Sequence, residues 1–253
     1  MVPREVRENC KPLPSIDKRL YDKIKRMKMD LYEFFKRVRL VSDRILEAFL
    51  RVPREFFVLP QYIKYAYVDE PLPLVDGATI SAISMSLLLC EYAELKLGDE
   101  VLEVGTGSGY QAALIAEIVC PKSHEGTILA CSNNKPVCTI EISEKLYKMG
   151  KENLEKLCYT KCVDVRLGDG TLGWPEKYRK FDAIIITAAG DKIPPPLLKQ
   201  LKVGGRLIMP LGTGFWQRLI RARKLGPNAE DIKIEYLEDV RFVPLRGAYG
   251  VKE

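Results

Sequence analysis

Histidine is almost missing from this chain: His124 is the only one in 253 residues. Imidazole is the usual general base near neutral pH and a common metal ligand, so chemistry built on several histidines is excluded. The seven cysteines are Cys10, Cys90, Cys120, Cys131, Cys138, Cys158 and Cys162, and no two are spaced as CxxC. That argues against a zinc site of this type, and no metal is expected. No run of about 18 apolar residues occurs, so no transmembrane helix is expected. The opening MVPREVRENC is charged and proline-interrupted, without the apolar stretch of a secretory signal. A cytoplasmic location is the expectation. Glutamine and asparagine are scarce beside Lys, Arg and Glu. This bias is found in thermophiles, where intracellular disulfides occur, so pairing among the cysteines stays open.

What is present describes a packed chain. Hydrophobic residues make up 47%, enough for a sizeable core. Forty basic against 34 acidic residues leave +6, a mild excess that permits an acidic partner without demanding one. Much of it sits in Lys18, Arg19, Lys23, Lys25, Arg26 and Lys28, read as a solvated helix face. Pro12, Pro14 and Ser15 precede an apolar stripe of Ile16, Leu20, Ile24, Met27, Leu31, Phe34 and Val38, with Ser15 the expected N-cap. Ser42 is placed to cap a second helix carrying Ile45, Leu46, Phe49 and Leu50, ended by Pro53. Residues 1–64 therefore read as a helical cover over a main domain, 65–253.

From Pro71 onward, strands alternate with helices. Helices are expected over 83–95, 111–119, 143–157 and 195–201. Strands are expected over 100–104, 137–142, 163–167, 181–187 and 206–210, with late strands in 232–242. Nearly continuous apolar strand interiors indicate a mostly parallel sheet covered on both faces, a doubly wound α/β fold. No internal repeat or low-complexity segment interrupts it.

The strongest chemical signal is Val101-Leu102-Glu103-Val104-Gly105-Thr106-Gly107-Ser108-Gly109-Tyr110. Strand, tight glycine turn and helix follow one another. Glycines admit a sharp turn and a close ligand, and the helix start offers free N–H groups. GxGxG with an acid two residues before the first glycine resembles motif I of Rossmann-like class I S-adenosylmethionine methyltransferases. Glu103 suits a ligand carrying a cationic ammonium and sulfonium. Glu141, near the end of the next strand, can accept both ribose hydroxyls. Its distance from Gly105 is long, so 121–136 reads as an insertion; an alternative second strand, 127–131, carries no acid at its end. Asp169, with Gly170, follows the third strand and can accept from an adenine amino group. After the fourth strand stands Thr187-Ala188-Ala189-Gly190, where methyltransferases of nucleobase amino groups carry Asp/Asn-Pro-Pro-aromatic. Its absence argues against nucleic-acid substrates.

Residues 40–250 resemble the protein-L-isoaspartate (D-aspartate) O-methyltransferase family. The resemblance is carried by VPREFFV (52–58), DEPLP (69–73), GATIS (77–81), EVGTGSGYQAALIAEIV, GDGTLGWP and VRFVPLRGAYG. It implies S-adenosyl-L-methionine as cofactor and isoaspartyl-containing proteins and peptides as substrates. It also implies that Thr79-Ile80-Ser81 lines the site where acceptor carboxylate meets donor, with Ser81 as the catalytic residue. Thr79, Ile80, Ser81, Ser84, Glu103, Gly105, Thr106, Gly107, Glu141, Asp169 and Gly170 form the expected donor-binding set. A carboxylate is already nucleophilic near pH 7, so the scarcity of histidine is compatible with this reaction. The chain departs from the family pattern at Ala82-Ile83-Ser84, where a proline and an aromatic or histidine are usual. The insertion and the N-terminal helix are further departures. A methyltransferase of another substrate, such as tRNA adenine, and a non-catalytic donor-binding protein are the alternatives.

Overall fold

The computed structural model describes residues 16–120, 135–214 and 216–252. Calls on Cys10, Ser15, His124, Cys131, the strand alternative 127–131 and most of the insertion lie outside the described residues.

The first helix, α1 (Lys18–Arg37), starts at Asp17, whose carboxylate accepts the Leu20 amide at 3.1 Å. Its buried residues are Ile24 and Phe35, whereas Phe34 and Val38 are exposed. At 100° per residue Phe34 lies about 80° round the helix from Ile24 and Phe35 only about 20°, so the stripe closes on Phe35. The basic run is exposed except for Lys28. The Lys28 ammonium donates to the carbonyls of Leu50 (2.8 Å) and Val52 (3.1 Å), closing off the end of α2 (Asp43–Arg51). It also lies 5.4 Å from the Tyr67 ring centroid. Ser42 takes the N-cap position of α2, but its side chain makes no cap bond. Its amide instead donates to Glu91 at 2.8 Å.

A short hairpin, β1 (Leu72–Pro73) and β2 (Thr79–Ile80), precedes α3 (Ile83–Tyr92). The main sheet then builds from β3 (Val101–Val104), β4 (Val137–Glu141), β5 (Val163–Leu167), β6 (Phe181–Ile186), β7 (Leu201–Thr213), β8 (Trp216–Lys224) and β9 (Ile232–Val240). Helices α4 (Tyr110–Val119), α5 (Glu144–Lys156) and α6 (Pro195–Gln200) connect them. Strand order is β5-β4-β3-β6-β7-β8-β9, parallel through β7 and antiparallel beyond. The sequence reading missed β8, whose Arg and Lys alternate with apolar residues, and began β7 late. The chain enters β7 directly from α6, through Gly204 and Gly205.

Side-chain alternation sorts the strands onto two cores. Val101, Val137, Val163, Ala183 and Ile185 face α1 to α5. Leu102, Val104, Ile140, Ile184 and Ile186 face α6 and Trp174. Helices α1 and α2 share the first core with α3, α4 and the sheet. Among the described residues, no helix is long and apolar enough to cross a membrane. Cys120 and Cys158 are disulfide-bonded, whereas Cys90 and Cys138 are buried free thiols.

Candidate active site

A solvent-open cleft lies at the carboxyl ends of β3, β4 and β6. In α/β sheets this is where connections on the two faces diverge and leave room for a ligand. Its floor is the turn from β3 into α4. Gly105 has φ +99°, and a Cβ there would be driven into the Thr187 hydroxyl. Gly107 has φ +53°, and a Cβ there would meet only Leu74 Cδ1, at 3.8 Å. Gly105 is thus fixed by packing. Gly107, which lines the cleft, is held by its positive φ rather than by close packing.

Three hydroxyl and carboxyl groups stack beneath the turn. Thr139 on β4 donates to Glu103 Oε2 at 2.5 Å, and the Thr106 and Thr139 hydroxyls are 2.7 Å apart. Glu103 is fully buried, and its Oε1 has no hydrogen-bond partner. Burial pushes its carboxyl up to about 8; the Thr139 bond pulls it down and the Glu141 carboxylate pushes it up. An orphaned buried carboxyl oxygen lining a cleft costs free energy unless a ligand satisfies it. Glu141 closes β4: its Oε2 accepts from Gly107 N (2.9 Å) and its Oε1 from Ser143 N (3.0 Å). Ser143 caps α5 by accepting from Leu146 N at 3.3 Å. Glu141 is therefore held at the same turn as Gly107, at the end of β4.

Thr79, Ile80 and Ser81 line the cleft from the β2 side, with Ser81 half-buried. Thr106 and Gly170 line it as well. Two of the expected set do not. The Ser84 amide donates to Asp69 at 2.8 Å, in the first turn of α3. The Asp169 carboxylate turns away, accepting from Thr171 N (2.8 Å), Thr171 Oγ1 (2.6 Å) and Ala248 N (2.7 Å). It holds the C-terminal segment, and a side chain at Gly247 would collide with it.

Sequence reasoning gave no site role to Tyr110, Gln111, Thr187 and 243–246, which also line the cleft. The Thr187 hydroxyl donates toward the carbonyls of Gly105 (2.9 Å) and Val104 (3.1 Å), tying β6 to the glycine turn. Residues 243–245 run beside Ala189, with Ala189 N on Val243 O and Leu245 N on Ala189 O, both at 2.8 Å. Arg246 then reaches Asp76 at 3.6 Å, next to the β1–β2 hairpin. The VRFVPLRGAYG match marked this segment without giving it a position. A cleft with an open glycine floor, one unsatisfied buried carboxyl and a second carboxylate on the next strand fits a ligand with a cationic end and a diol.

Comparison with known proteins agrees with this geometry. The model of the family described as protein-L-isoaspartate(D-aspartate) O-methyltransferase matches residues 26–250. A protein-L-isoaspartate O-methyltransferase of Staphylothermus marinus is 44% identical over 222 residues, covering 87% of this chain and 94% of its own. One of Pyrococcus horikoshii is 44% identical over 239 residues, covering 94% and 99%. A solved protein-L-isoaspartate O-methyltransferase superposes with a TM-score of 0.74 at 31% identity, over 88% of this chain and 67% of that one. A Plasmodium falciparum structure in complex with S-adenosyl-L-homocysteine gives 0.69 at 26% identity, over 86% and 97%.

Proposed function

The chain belongs to the protein-L-isoaspartate(D-aspartate) O-methyltransferase family, and from that premise we propose how its cleft carries out the reaction in the cytoplasm. It is an S-adenosylmethionine-dependent protein carboxyl O-methyltransferase that methylates isoaspartyl residues of damaged proteins. The observation that carries the site assignment is the meeting of Ser81, Glu103, Gly107 and Glu141 in one cleft.

S-adenosylmethionine, when bound, supplies a methyl group made electrophilic by its sulfonium. Glu141 would accept from the ribose hydroxyls, and Glu103 would balance the positive charge of the amino-acid end. Gly107 leaves space for close approach, and Gly170 borders the base. Ser81 donates a hydrogen bond to the acceptor carboxylate and aims one oxygen along the line of transfer. That oxygen would form the new bond to the methyl carbon as the carbon–sulfur bond breaks, the sulfonium leaving as a neutral thioether with both electrons. The acceptor is already ionised near pH 7, so no residue has to remove a proton. Catalysis is then positioning and exclusion of water, for which hydroxyl and backbone groups suffice. The backbone amide nitrogen of the following residue can then attack the methyl ester, closing to a succinimide with loss of methanol, and water reopens the ring partly to normal aspartate.

The decisive assay offers tritiated donor with either a short isoaspartyl peptide or tRNA. Base-labile label in the peptide supports the proposal. Label in tRNA alone would overturn it, and donor binding with label in neither would support a non-catalytic binder.

A further inference from the structure

Arg54, in the VPREFF segment, is completely buried yet belongs to none of the roles above. Its Nη2 donates to the Ser81 carbonyl at 2.7 Å and its Nε to the Ala66 carbonyl at 3.0 Å. Its guanidinium carbon lies 4.7 Å from the centroid of the Tyr110 ring. Tyr110 is the residue directly after the glycine turn, and it lines the same cleft as Ser81. The neighbouring carboxylate, Glu55, accepts instead from the Tyr67 hydroxyl at 2.5 Å. Among the described residues no carboxylate forms an ion pair with Arg54. Nη1 and the buried Tyr110 hydroxyl make no hydrogen bond of good geometry, and the polar interaction left to them is with each other across the guanidinium–ring contact.

A buried guanidinium without a carboxylate partner is an expensive way to fill space. An apolar side chain of similar volume would stabilise the fold as well or better. What Arg54 supplies that an apolar residue cannot is a fixed link. One rigid planar group touches the carbonyl of Ser81 on the acceptor side and the ring of Tyr110 on the donor side. The planar fork loses little freedom on forming these contacts. A shift of about 1 Å between acceptor oxygen and donor methyl costs on the order of a hundredfold in rate, so such a link has catalytic consequence.

We propose that Arg54 is a positioning residue. It acts through Ser81, setting the distance between the acceptor loop and the glycine turn that holds the donor. The proposal rests on the functional reading of Ser81 given above.

The test is a double-mutant cycle between Arg54→Lys and Ser81→Ala in the full chain. It is read as kcat and KM on isoaspartyl peptide, with donor Kd by calorimetry and thermal midpoint. Lysine keeps the charge but cannot hold two carbonyls in a planar fork. Expected is a fall in kcat of about ten- to a hundredfold in Arg54→Lys, with donor Kd changed by less than about threefold. In the Ser81→Ala background the same substitution should change kcat by less than about threefold, because the group it positions is gone. Equal effects in both backgrounds would overturn the proposal, as would unchanged kcat in folded Arg54→Lys. Failure of both Arg54→Lys and Arg54→Gln to fold would assign the residue to stability alone and also overturn it. A parent protein that methylates no isoaspartyl peptide would refute the functional reading itself, an outcome separate from these.

Discussion

Thr139 donates its hydroxyl proton to Glu103 across the β3–β4 pair at 2.5 Å, leaving the other carboxyl oxygen of Glu103 without a partner. In the parallel register Glu103 and Thr139 are direct neighbours, so the contact follows from strand pairing. A carboxyl half satisfied by the fold and half by a ligand changes its ionisation when the ligand arrives.

Glu103 therefore makes donor binding depend on pH. Its folded-state value is raised from 4.5 to about 8, chiefly by burial. The empty folded protein keeps this proton between those values. The stability Glu103 contributes is fully present below about 4.5 and lost as pH rises through about 8. A cationic donor favours the carboxylate, so binding releases a proton. Donor affinity should rise from pH 6 to 8, by up to about tenfold per unit, and level off above. Calorimetry in buffers of different ionisation enthalpy measures the released proton. Glu103→Gln should bind more weakly and lose the pH dependence. Flat affinity in the parent would remove Glu103 from the donor site.

Ser81→Ala should lower turnover on isoaspartyl peptide roughly ten- to a hundredfold, the worth of one positioned hydrogen bond. Donor affinity should stay within a few-fold. Nearly complete loss with a methylated enzyme intermediate in the parent would instead make Ser81 a nucleophile. Full activity in Ser81→Ala would assign the orienting role elsewhere.

Gly107→Val should abolish measurable donor binding while leaving the fold intact. Gly107 lines the cleft, and a branched side chain there would take up room beside the expected donor. Its φ of +53° adds strain of about 1–2 kcal/mol, a loss of a few degrees in thermal midpoint. Calorimetry and thermal unfolding together separate the two effects. Parent-like affinity would contradict the placement of the donor over the turn.

With Cys120 and Cys158 both in disulfides, the denatured, unreduced protein should show no more than five of its seven thiols. A reductant should lower the thermal midpoint, since a closed loop restricts the unfolded chain. Seven reactive thiols would show that the protein carries no disulfide in solution.

The sequence by itself determined the strand–glycine turn–helix, the alternation that divides each strand between two cores, and the helix that follows the strand ending at Glu141. These depend on neighbours a few residues apart, through steric limits on φ and the periods of helix and strand. Of the expected donor-site residues, Glu103, Gly105, Thr106, Gly107, Glu141 and Gly170 meet in one cleft because they follow or end neighbouring parallel strands, whereas Thr79, Ile80 and Ser81 are brought to it from a separate hairpin. Tertiary structure alone decided the rest. Lys28 leaves the basic face to reach the carbonyls of Leu50 and Val52. Asp169 turns to Ala248, 79 residues away, and Arg54 to Ser81, 27 residues away. Each of these partnerships joins groups whose local patterns carry no trace of one another. Only closure of the core brings them within reach, where burial makes an unpartnered polar group costly.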